Sequence, residues 1–132
     1  MTKTNQQLLL AAGPRIFKKS QVKLWGFECS DGWMSILLDL IINLEKRQCG
    51  IHIESQWVEV LQVKEKFGKL RFYASNTTKL DQYEIKLAED KSGTTCEDCG
   101  NEGKLRSDGW MRTLCDTCSI EWKVKRTYEA RN

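Results

Sequence analysis

Apolar positions recur at intervals of three and four residues in four parts of the chain, which is the pattern of amphipathic helices. The longest part is DGWMSILLDLIINLEKRQCG, residues 31–50, where Ser30 or Asp31 can cap the start. A shorter part, residues 3–12, ends at a helix-breaking Gly-Pro dipeptide. The other predicted helices cover residues 78–91, with Thr77 or Thr78 as the cap, and residues 119–131.

Between the second and third predicted helices, the pattern changes to the alternation that is typical of strands. The segment IHIESQWVEVLQVKEKF is rich in β-formers and is followed by a glycine and then by LRFYA, which predicts a β-hairpin. A two-residue turn at Gly68 and Lys69 places Lys66 opposite Arg71. Alternation then puts two sets of side chains on opposite faces, Glu65, Phe67, Leu70 and Phe72 on one and Lys64, Lys66, Arg71 and Tyr73 on the other.

The six cysteines predict a metal site rather than a set of disulfides. Four of them form two C-x-x-C pairs, Cys96 with Cys99 and Cys115 with Cys118, in a chain whose start does not resemble a secretory signal. Two such pairs complete a tetrahedron of thiolates around zinc, with Zn–S distances of about 2.3 Å. A shell of four thiolates leaves no open position, so we expect one structural zinc ion, with iron–sulfur or redox use of the cysteines as the alternative.

The segment between the cysteine pairs suggests how the zinc module folds. LRSDGWMRTL has β-formers on both sides of Asp108 and Gly109, which predicts a hairpin, and the second pair opens the last predicted helix. The order of a first cysteine pair, a hairpin and a helix that starts at the second cysteine pair is that of a treble-clef finger. A plain zinc ribbon is the other option. The predicted fold class is α+β. A helix and hairpin part, residues 1–92, is expected to pack with a four-cysteine zinc module, residues 94–132, into one compact domain through Trp110 and Trp122.

The string SDGWM occurs twice, at residues 30–34 and at residues 107–111. In the first copy the polar residues precede a helix, whereas in the second they supply a hairpin turn. Because the flanking sequences share nothing else, we interpret the two copies as unrelated in structure. Trp33 and Trp110 are then predicted to be core or interface anchors.

Charge and hydropathy narrow the range of functions. The net charge is +3, and the basic excess is concentrated in residues 1–30, which hold five Lys or Arg and one acidic residue. Any surface that binds polyanions must therefore be local, and a generally basic DNA-binding domain is disfavoured. No apolar run approaches the roughly 20 residues that span a bilayer, and we expect a cytoplasmic protein without a membrane partner.

Three segments together resemble a known family: FECSDGWMSIL, VKEKFGKLRFY and CEDCGNEGKLRSDGWMRTLCDTC. They are similar to small zinc-finger proteins of bacteriophages and bacterial genomes, a largely uncharacterised family with a DGW helix start, a VKEKFGGLRFY-like hairpin and a terminal CExCG…GW…TLCxxC module. The resemblance covers residues 26–118, and Lys69 stands where the family has a second glycine. It implies a cytoplasmic zinc protein in a phage or prophage setting, and it supplies no activity that can be assigned to a residue.

The cationic face of the predicted hairpin is the first candidate ligand site. Its side chains, Lys64, Lys66, Arg71 and Tyr73, suit contacts to phosphates and stacking on a base. The alternative is that they form only the solvated face of an amphipathic hairpin. Two further groups of cations are candidates for anion binding, namely Arg15, Lys18, Lys19 and Lys23 near the start and residues 123–126 near the end.

The sequence offers no motif that argues for an enzyme. Walker loops, GxGxxG, HExxH and paired-carboxylate motifs are absent from the sequence. His52, the single histidine, lies between two isoleucines and is interpreted as a structural or surface residue. Cys29 and Cys49 are interpreted as buried apolar thiols.

These features favour a non-enzymatic, zinc-stabilised binding protein of phage type that engages an anionic ligand, either a nucleic acid or a nucleotide. The alternative is a phage protein that inhibits a host defence or transcription component, by protein contact or by sequestering a nucleotide signal. Binding of a nucleic acid falls steeply with salt. Binding of a protein partner depends instead on buried aromatic anchors such as Trp25, Trp33 or Trp57.

Overall fold

A computed structural model describes residues 1–107 and 109–131 and shows an α+β fold. The helices are α1 (Lys3–Ala12), α2 (Val22–Trp25), α3 (Met34–Gln48), α4 (Lys79–Ser92) and α5 (Asp116–Arg131). The strands are β1 (Glu59–Lys66), β2 (Lys69–Ser75), β3 (Lys104–Arg106) and β4 (Arg112–Leu114), which pair as two antiparallel hairpins. All four helices predicted from the sequence are confirmed, and the one-turn α2 is an addition.

The hydrophobic core lies between α3 and the inner face of the β1–β2 hairpin. Trp33, Leu37 and Leu44 are fully buried on the helical side, and Val63 and Leu70 are fully buried on the hairpin side. Helix α1 packs against α3, and α4 packs against both α3 and β2. Among the described helices, none has the combination of length and apolar character that crossing a bilayer requires.

The start of α3 differs from the sequence prediction. Neither Ser30 nor Asp31 caps the helix with its side chain, and a 3-10 turn over Asp31–Trp33 leads into it instead. The Asp31 carboxylate accepts hydrogen bonds from the Thr2 N–H at 2.9 Å and from the Asn5 side-chain amide at 3.0 Å. The Thr2 N–H is the main reason that the pKa of Asp31 is lowered. This carboxylate therefore fixes α1 to the start of α3, since the first turn of a helix has unpaired N–H groups.

The turn of the β1–β2 hairpin lies one residue earlier than predicted. Phe67 and Gly68 form the turn with φ values of +53° and +83°, and Lys64 lies opposite Arg71. Positive φ at both central positions matches the twist of the strands, which explains why Gly68 takes the second position. Lys66 is thus paired with Lys69 and not with Arg71.

The corrected register leaves the predicted cationic face unchanged. Phe67, however, was predicted on the opposite face and instead lies in the turn, where it is 65% exposed. The cross-strand partner of each residue differs from the predicted one by two positions, as for Arg71, which pairs with Lys64 instead of Lys66. Because side chains alternate with a period of two, a shift of two positions keeps each of these residues on its predicted face. One face of the hairpin packs on the core. The other, which we call the outer face, carries Lys64, Lys66, Lys69, Arg71 and Tyr73.

Both edges of this two-stranded sheet are covered. On the β2 side, the N–H groups of Leu70 and Phe72 donate to Ser92 Oγ and to a carboxylate oxygen of Glu89, each at 2.9 Å. On the β1 side, Glu28 bonds through its backbone to Val63 and Glu65, at 2.9 and 3.0 Å. A ligand that adds a strand to a sheet needs an unpaired edge, and neither edge of this hairpin is unpaired. Because the inner face packs on the core, the outer face is the part of the hairpin that is open to a ligand.

The first SDGWM string joins α3 to the cysteine-rich module. The Gly32 N–H donates to the Glu97 carbonyl at 2.7 Å, and the Trp33 indole donates to the Thr95 carbonyl at 2.9 Å. A Cβ on Gly32 would overlap the carbonyl oxygens of Cys96 and Glu97. This segment is therefore built for close approach of two backbones, a role that only glycine permits.

The predicted packing of the module through Trp110 is wrong. Trp110 is 68% exposed, so it does not contribute to a shared core. Its neighbour in the second SDGWM string, Asp108, was predicted to form a turn and lies outside the described residues. On the other side of the module, the Thr113 hydroxyl donates to the Gly68 carbonyl at 2.6 Å and attaches β4 to the tip of the β1–β2 hairpin.

We expect Gly32→Ala to destabilise the protein, because the added Cβ must displace the backbone at Cys96 and Glu97. Overpacking of this kind costs typically about 1–3 kcal/mol. Gly50→Ala is the matched control, since a Cβ there meets no atom within 4 Å. Urea denaturation of both variants checks this; equal midpoints for the two would contradict it.

We expect Phe67→Asn to stabilise the protein. Asn adopts positive φ more readily than Phe, and a strained residue of this kind costs about 1 kcal/mol or more. Phe67→Ala is the comparison, because it removes the same ring without adding a preference for positive φ. Thermal denaturation should place the Asn variant above both the unaltered protein and the Ala variant. An Asn variant below either of them would contradict the expectation.

Candidate metal centre and ligand-binding face

Four cysteines converge on one point of the C-terminal module. The Sγ atoms of Cys96, Cys99, Cys115 and Cys118 all lie within 4.8 Å of one another. The Sγ atoms of Cys99 and Cys115 are 3.7 Å apart. Four sulfurs about 2.3 Å from a central metal ion form a tetrahedron with edges of about 3.8 Å. The four cysteines are therefore placed to hold a metal ion.

Short backbone hydrogen bonds shape the turn that carries the first pair of cysteines. The Cys96 N–H donates to the Asn101 carbonyl at 2.7 Å, and the Gly100 N–H donates to the Cys96 carbonyl at 2.9 Å. Gly100 has φ of +84°, and a Cβ there would lie 3.1 Å from the Gly32 carbonyl oxygen. The turn is thus held by its own bonds and by its contact with Gly32.

The second pair lies at the start of α5. Cys115 directly precedes the helix and Cys118 lies in its first turn. The Cys118 N–H points at Cys115 Sγ at 3.4 Å. The N-terminus of a helix favours negative charge, which suits a pair of thiolates.

The thiols differ in how readily they ionise. Burial acts to raise the pKa of Cys96, but the N–H groups of Cys115, Cys99 and Asp98 outweigh it and lower this pKa to about 7. The pKa of Cys118 is raised, by burial first and then by hydrogen bonds to the other thiols. Four clustered sulfurs do not all ionise without a cation, and a divalent metal ion supplies the compensating charge.

Arg112 forms ion pairs with the two carboxylates between the first pair of cysteines. Its guanidinium lies 2.6 Å from an Asp98 oxygen and 3.4 Å from a Glu97 oxygen, and it stacks on the Trp122 ring at 5.3 Å. Burial raises the pKa of Glu97, while Arg112 and the Ser30 N–H act to lower it. Trp122 therefore has a role in the module, where it orients Arg112.

The outer face of the hairpin brings together every side chain predicted as a ligand contact. Lys64 and Arg71 are directly opposite each other, and Lys66 and Tyr73 share their face. Lys64, Lys66 and Arg71 form no ion pair with any of the described residues, whereas Lys69 lies 3.7 Å from Asp90. The outer face thus carries positive charge that the fold itself does not neutralise.

Exposed aromatic side chains lie at both ends of the outer face, and sequence reasoning missed this arrangement. At the end near Tyr73, a groove is lined by Trp25, Leu61 and Gln62. At the turn, a second depression, which we call the tip cleft, has a volume of about 390 Å³. Its lining residues are Glu65, Lys66, Phe67, Gly109, Trp110 and Met111. Phe67 and Trp110 are far apart in sequence, so no local pattern signalled their proximity.

The basic residues near the start of the chain are less available than the sequence suggested. Arg15 lies 2.8 Å from Glu45, and Lys18 pairs with Glu54. Phe17, which lies among these cations in the sequence, is fully buried in the core. Lys19 lies 4.0 Å from Glu54, and the Lys23 ammonium donates to a backbone carbonyl.

The remaining candidates also have defined surroundings. Arg126, in the basic segment near the end, stacks on Trp122 at 4.7 Å. Cys29 is buried as predicted, and burial raises its pKa to about 12. Cys49 is exposed, which contradicts the prediction of a buried thiol; it accepts a contact of 3.6 Å from the Arg15 guanidinium. His52 is an exposed residue after the end of α3.

Comparisons of the chain with protein-family models, with curated proteins and with solved structures found no match. No activity is therefore transferred from a relative. The most distinctive chemical features of the chain are its four clustered cysteines and the cations of the outer face.

We expect Cys96→Ser or Cys118→Ser to abolish metal binding and to unfold residues 94–131. A closed four-thiolate site contributes roughly 10–16 kcal/mol in small peptides at neutral pH, more than a module of this size can replace. Metal content by native mass spectrometry and hydrogen exchange across the module check this. Cys49→Ser, which changes an exposed thiol outside the cluster, should preserve both. Full protection of the module in metal-free protein would contradict the expectation.

Proposed function

We propose that the cysteine cluster binds one structural Zn²⁺ and that the module is a treble-clef finger. Thiolate donors in a tetrahedral set are those that zinc takes in structural sites. A cysteine turn, the β3–β4 hairpin and a helix that begins at the second cysteine pair follow the order of that class of finger. With four thiolates bound, zinc has no open position for substrate, so its role is to hold the module together.

We further propose that the protein is a non-enzymatic binding protein whose outer face engages an anionic ligand, a nucleic acid or a nucleotide. The observation that carries this proposal is the set of three cations, Lys64, Lys66 and Arg71, that share one face without ion-pair partners among the described residues. Phosphates are bound by such side chains through charge-assisted hydrogen bonds.

The contrast with other arginines supports this assignment. Arg47 lies 2.7 Å from Asp81, Arg112 lies 2.6 Å from Asp98, and Arg106 lies 2.7 Å from Asp116. These guanidinium groups hold elements of the fold together. Arg71, by comparison, has Lys64 as its cross-strand neighbour. Like charges directly opposite each other in a hairpin destabilise it. A bound polyanion would remove that repulsion.

A second candidate is a protein–protein role, favoured by large apolar side chains on the surface. Trp25 is 71% exposed and Trp110 is as open to solvent, and exposed aromatics of this kind often anchor interfaces. Together with the resemblance to phage proteins, this supports a phage-encoded inhibitor of a host component in the host cytoplasm. Such an inhibitor would act by protein contact or by sequestering a nucleotide signal.

We expect Lys66→Glu with Arg71→Glu to weaken the binding of polyanions by roughly 10- to 100-fold, because two charge-assisted contacts become repulsive. The slope of log K against log salt should become shallower by between about 1 and 2. Fluorescence anisotropy with a labelled oligonucleotide, and competition by inorganic polyphosphate, measure both quantities.

The matched control is Lys3→Glu with Lys79→Glu. It makes the same change in net charge at the first residues of α1 and α4, which belong to neither strand of the hairpin. If both double variants lose the same affinity for polyanions, the loss is due to net charge alone, which would contradict the proposal. Absence of polyanion binding by the unaltered protein at low salt would also contradict it and would favour the protein–protein role.

A further inference from the structure

The outer face has an aromatic group at each end and cations between them. Tyr73 is 44% exposed at one end, beside the groove that Trp25 lines. Phe67 and Trp110 line the tip cleft at the other end. Lys66 belongs to both the outer face and the tip cleft, and its ammonium lies 5.8 Å from the centre of the Phe67 ring.

Phe67 occupies a position that its own chemistry disfavours. Its φ of +53° is one that Asn, Asp or Gly adopts at lower cost, and its ring is 65% exposed to water. Both features reduce the stability of the folded chain. Strained residues of this kind concentrate at sites of function, where a ligand makes use of the exposed group.

The carboxylates close to the aromatic groups are already engaged within the protein. Glu65, which lines the tip cleft, accepts a hydrogen bond from the Gly68 N–H at 2.8 Å. Glu28, which lines the groove, accepts one from the Gln62 amide at 3.1 Å. These hydrogen bonds orient the two carboxylates, which keep their negative charge, so the phosphates of a ligand are expected beside the cations between them.

The length of the outer face exceeds that of one nucleotide. Tyr73 and Lys69 are four residues apart on β2, which at about 3.4 Å per residue is roughly 14 Å. Stacked nucleotides advance about 3.4 Å each along a strand, so a segment of about four covers this distance. A mononucleotide would reach only one end of the outer face. In a duplex the bases are stacked on each other and paired, so they cannot stack on the aromatic side chains.

We propose that the ligand of the outer face is a single-stranded nucleic acid, an inference that rests on the proposed anion-binding function. Its phosphates contact Lys64, Lys66 and Arg71, one base stacks on Phe67 and Trp110 in the tip cleft, and another base stacks on Tyr73. Aromatic platforms beside a cationic track are the general means by which proteins hold single strands without a fixed sequence.

Three fluorescein-labelled probes test this inference with the full chain in its zinc-loaded form: a single strand of about 12 nucleotides, its duplex with the complement, and labelled inorganic polyphosphate. Anisotropy titrations over a salt series give the affinity and the salt slope. The variants are Phe67→Asn, which suits its turn and so remains folded, and Trp110→Ala. Tyr83→Ala is the control, because this tyrosine is 62% exposed on α4 and lines neither the groove nor the tip cleft.

We expect the single strand to bind more tightly than either other probe. Phe67→Asn and Trp110→Ala should each weaken single-strand binding by roughly 5- to 100-fold, the range for loss of one stacked base, with the salt slope unchanged. Quenching of Trp110 fluorescence by the single strand, lost in Trp110→Ala, would support direct stacking.

Three outcomes would overturn the inference, and they differ in what they say about the proposed function. If all three probes bind equally and the aromatic variants bind like the unaltered protein, the outer face binds anions but does not stack bases. If no probe binds at low salt, the anion-binding function fails and the inference fails with it. Displacement of the labelled single strand by a mononucleotide at low concentration, unaffected by Trp110→Ala, would assign the face to a nucleotide instead.

Discussion

The close approach of Gly32 to the backbone at Cys96 and Glu97 is the constraint on which the rest of the structure depends. At this point α3, which contributes Leu37, Ile41 and Leu44 to the core, meets the turn that carries the first pair of cysteines. The contact leaves no room for a Cβ, and the adjacent Trp33 places its indole in the core while donating a hydrogen bond to the Thr95 carbonyl. Metal site and hydrophobic core are therefore parts of one packing arrangement.

A second contact, from Thr113 to the Gly68 carbonyl, connects the same module to the tip of the β1–β2 hairpin. The module is thus attached on two sides, and β4 lies beside the turn that exposes Phe67. The chain beyond β3 brings Trp110 to the same place. Because the two aromatic residues come from separate hairpins, the tip cleft exists only when the module is folded. A metal ion held by the four cysteines would thereby stabilise the tip cleft without lying in it.

Charges serve two purposes in this protein. Within the fold, guanidinium groups pair with carboxylates, and Arg112 holds both acidic residues of the first cysteine turn while it stacks on Trp122. On the outer face, Lys64 and Arg71 oppose each other with no acidic partner among the described residues. The first arrangement stabilises the module, whereas the second costs some stability and leaves a positive surface for an external anion.

Local pattern was sufficient to predict much of this structure. The helical periodicity of α3 and the spacing of the two cysteine pairs depend on neighbouring residues, as does the alternation that separates the outer face of the hairpin from its inner face. The residues of the outer face were predicted correctly despite the error in the turn, because a shift of two positions in register keeps alternating side chains on the same face. Local pattern could not predict three features: the hydrogen bonds from the start of α1 to Asp31, the exposure of Trp110, and the cleft that Trp110 shares with Phe67. They depend on which distant segments come together, and only packing of the whole chain decides that.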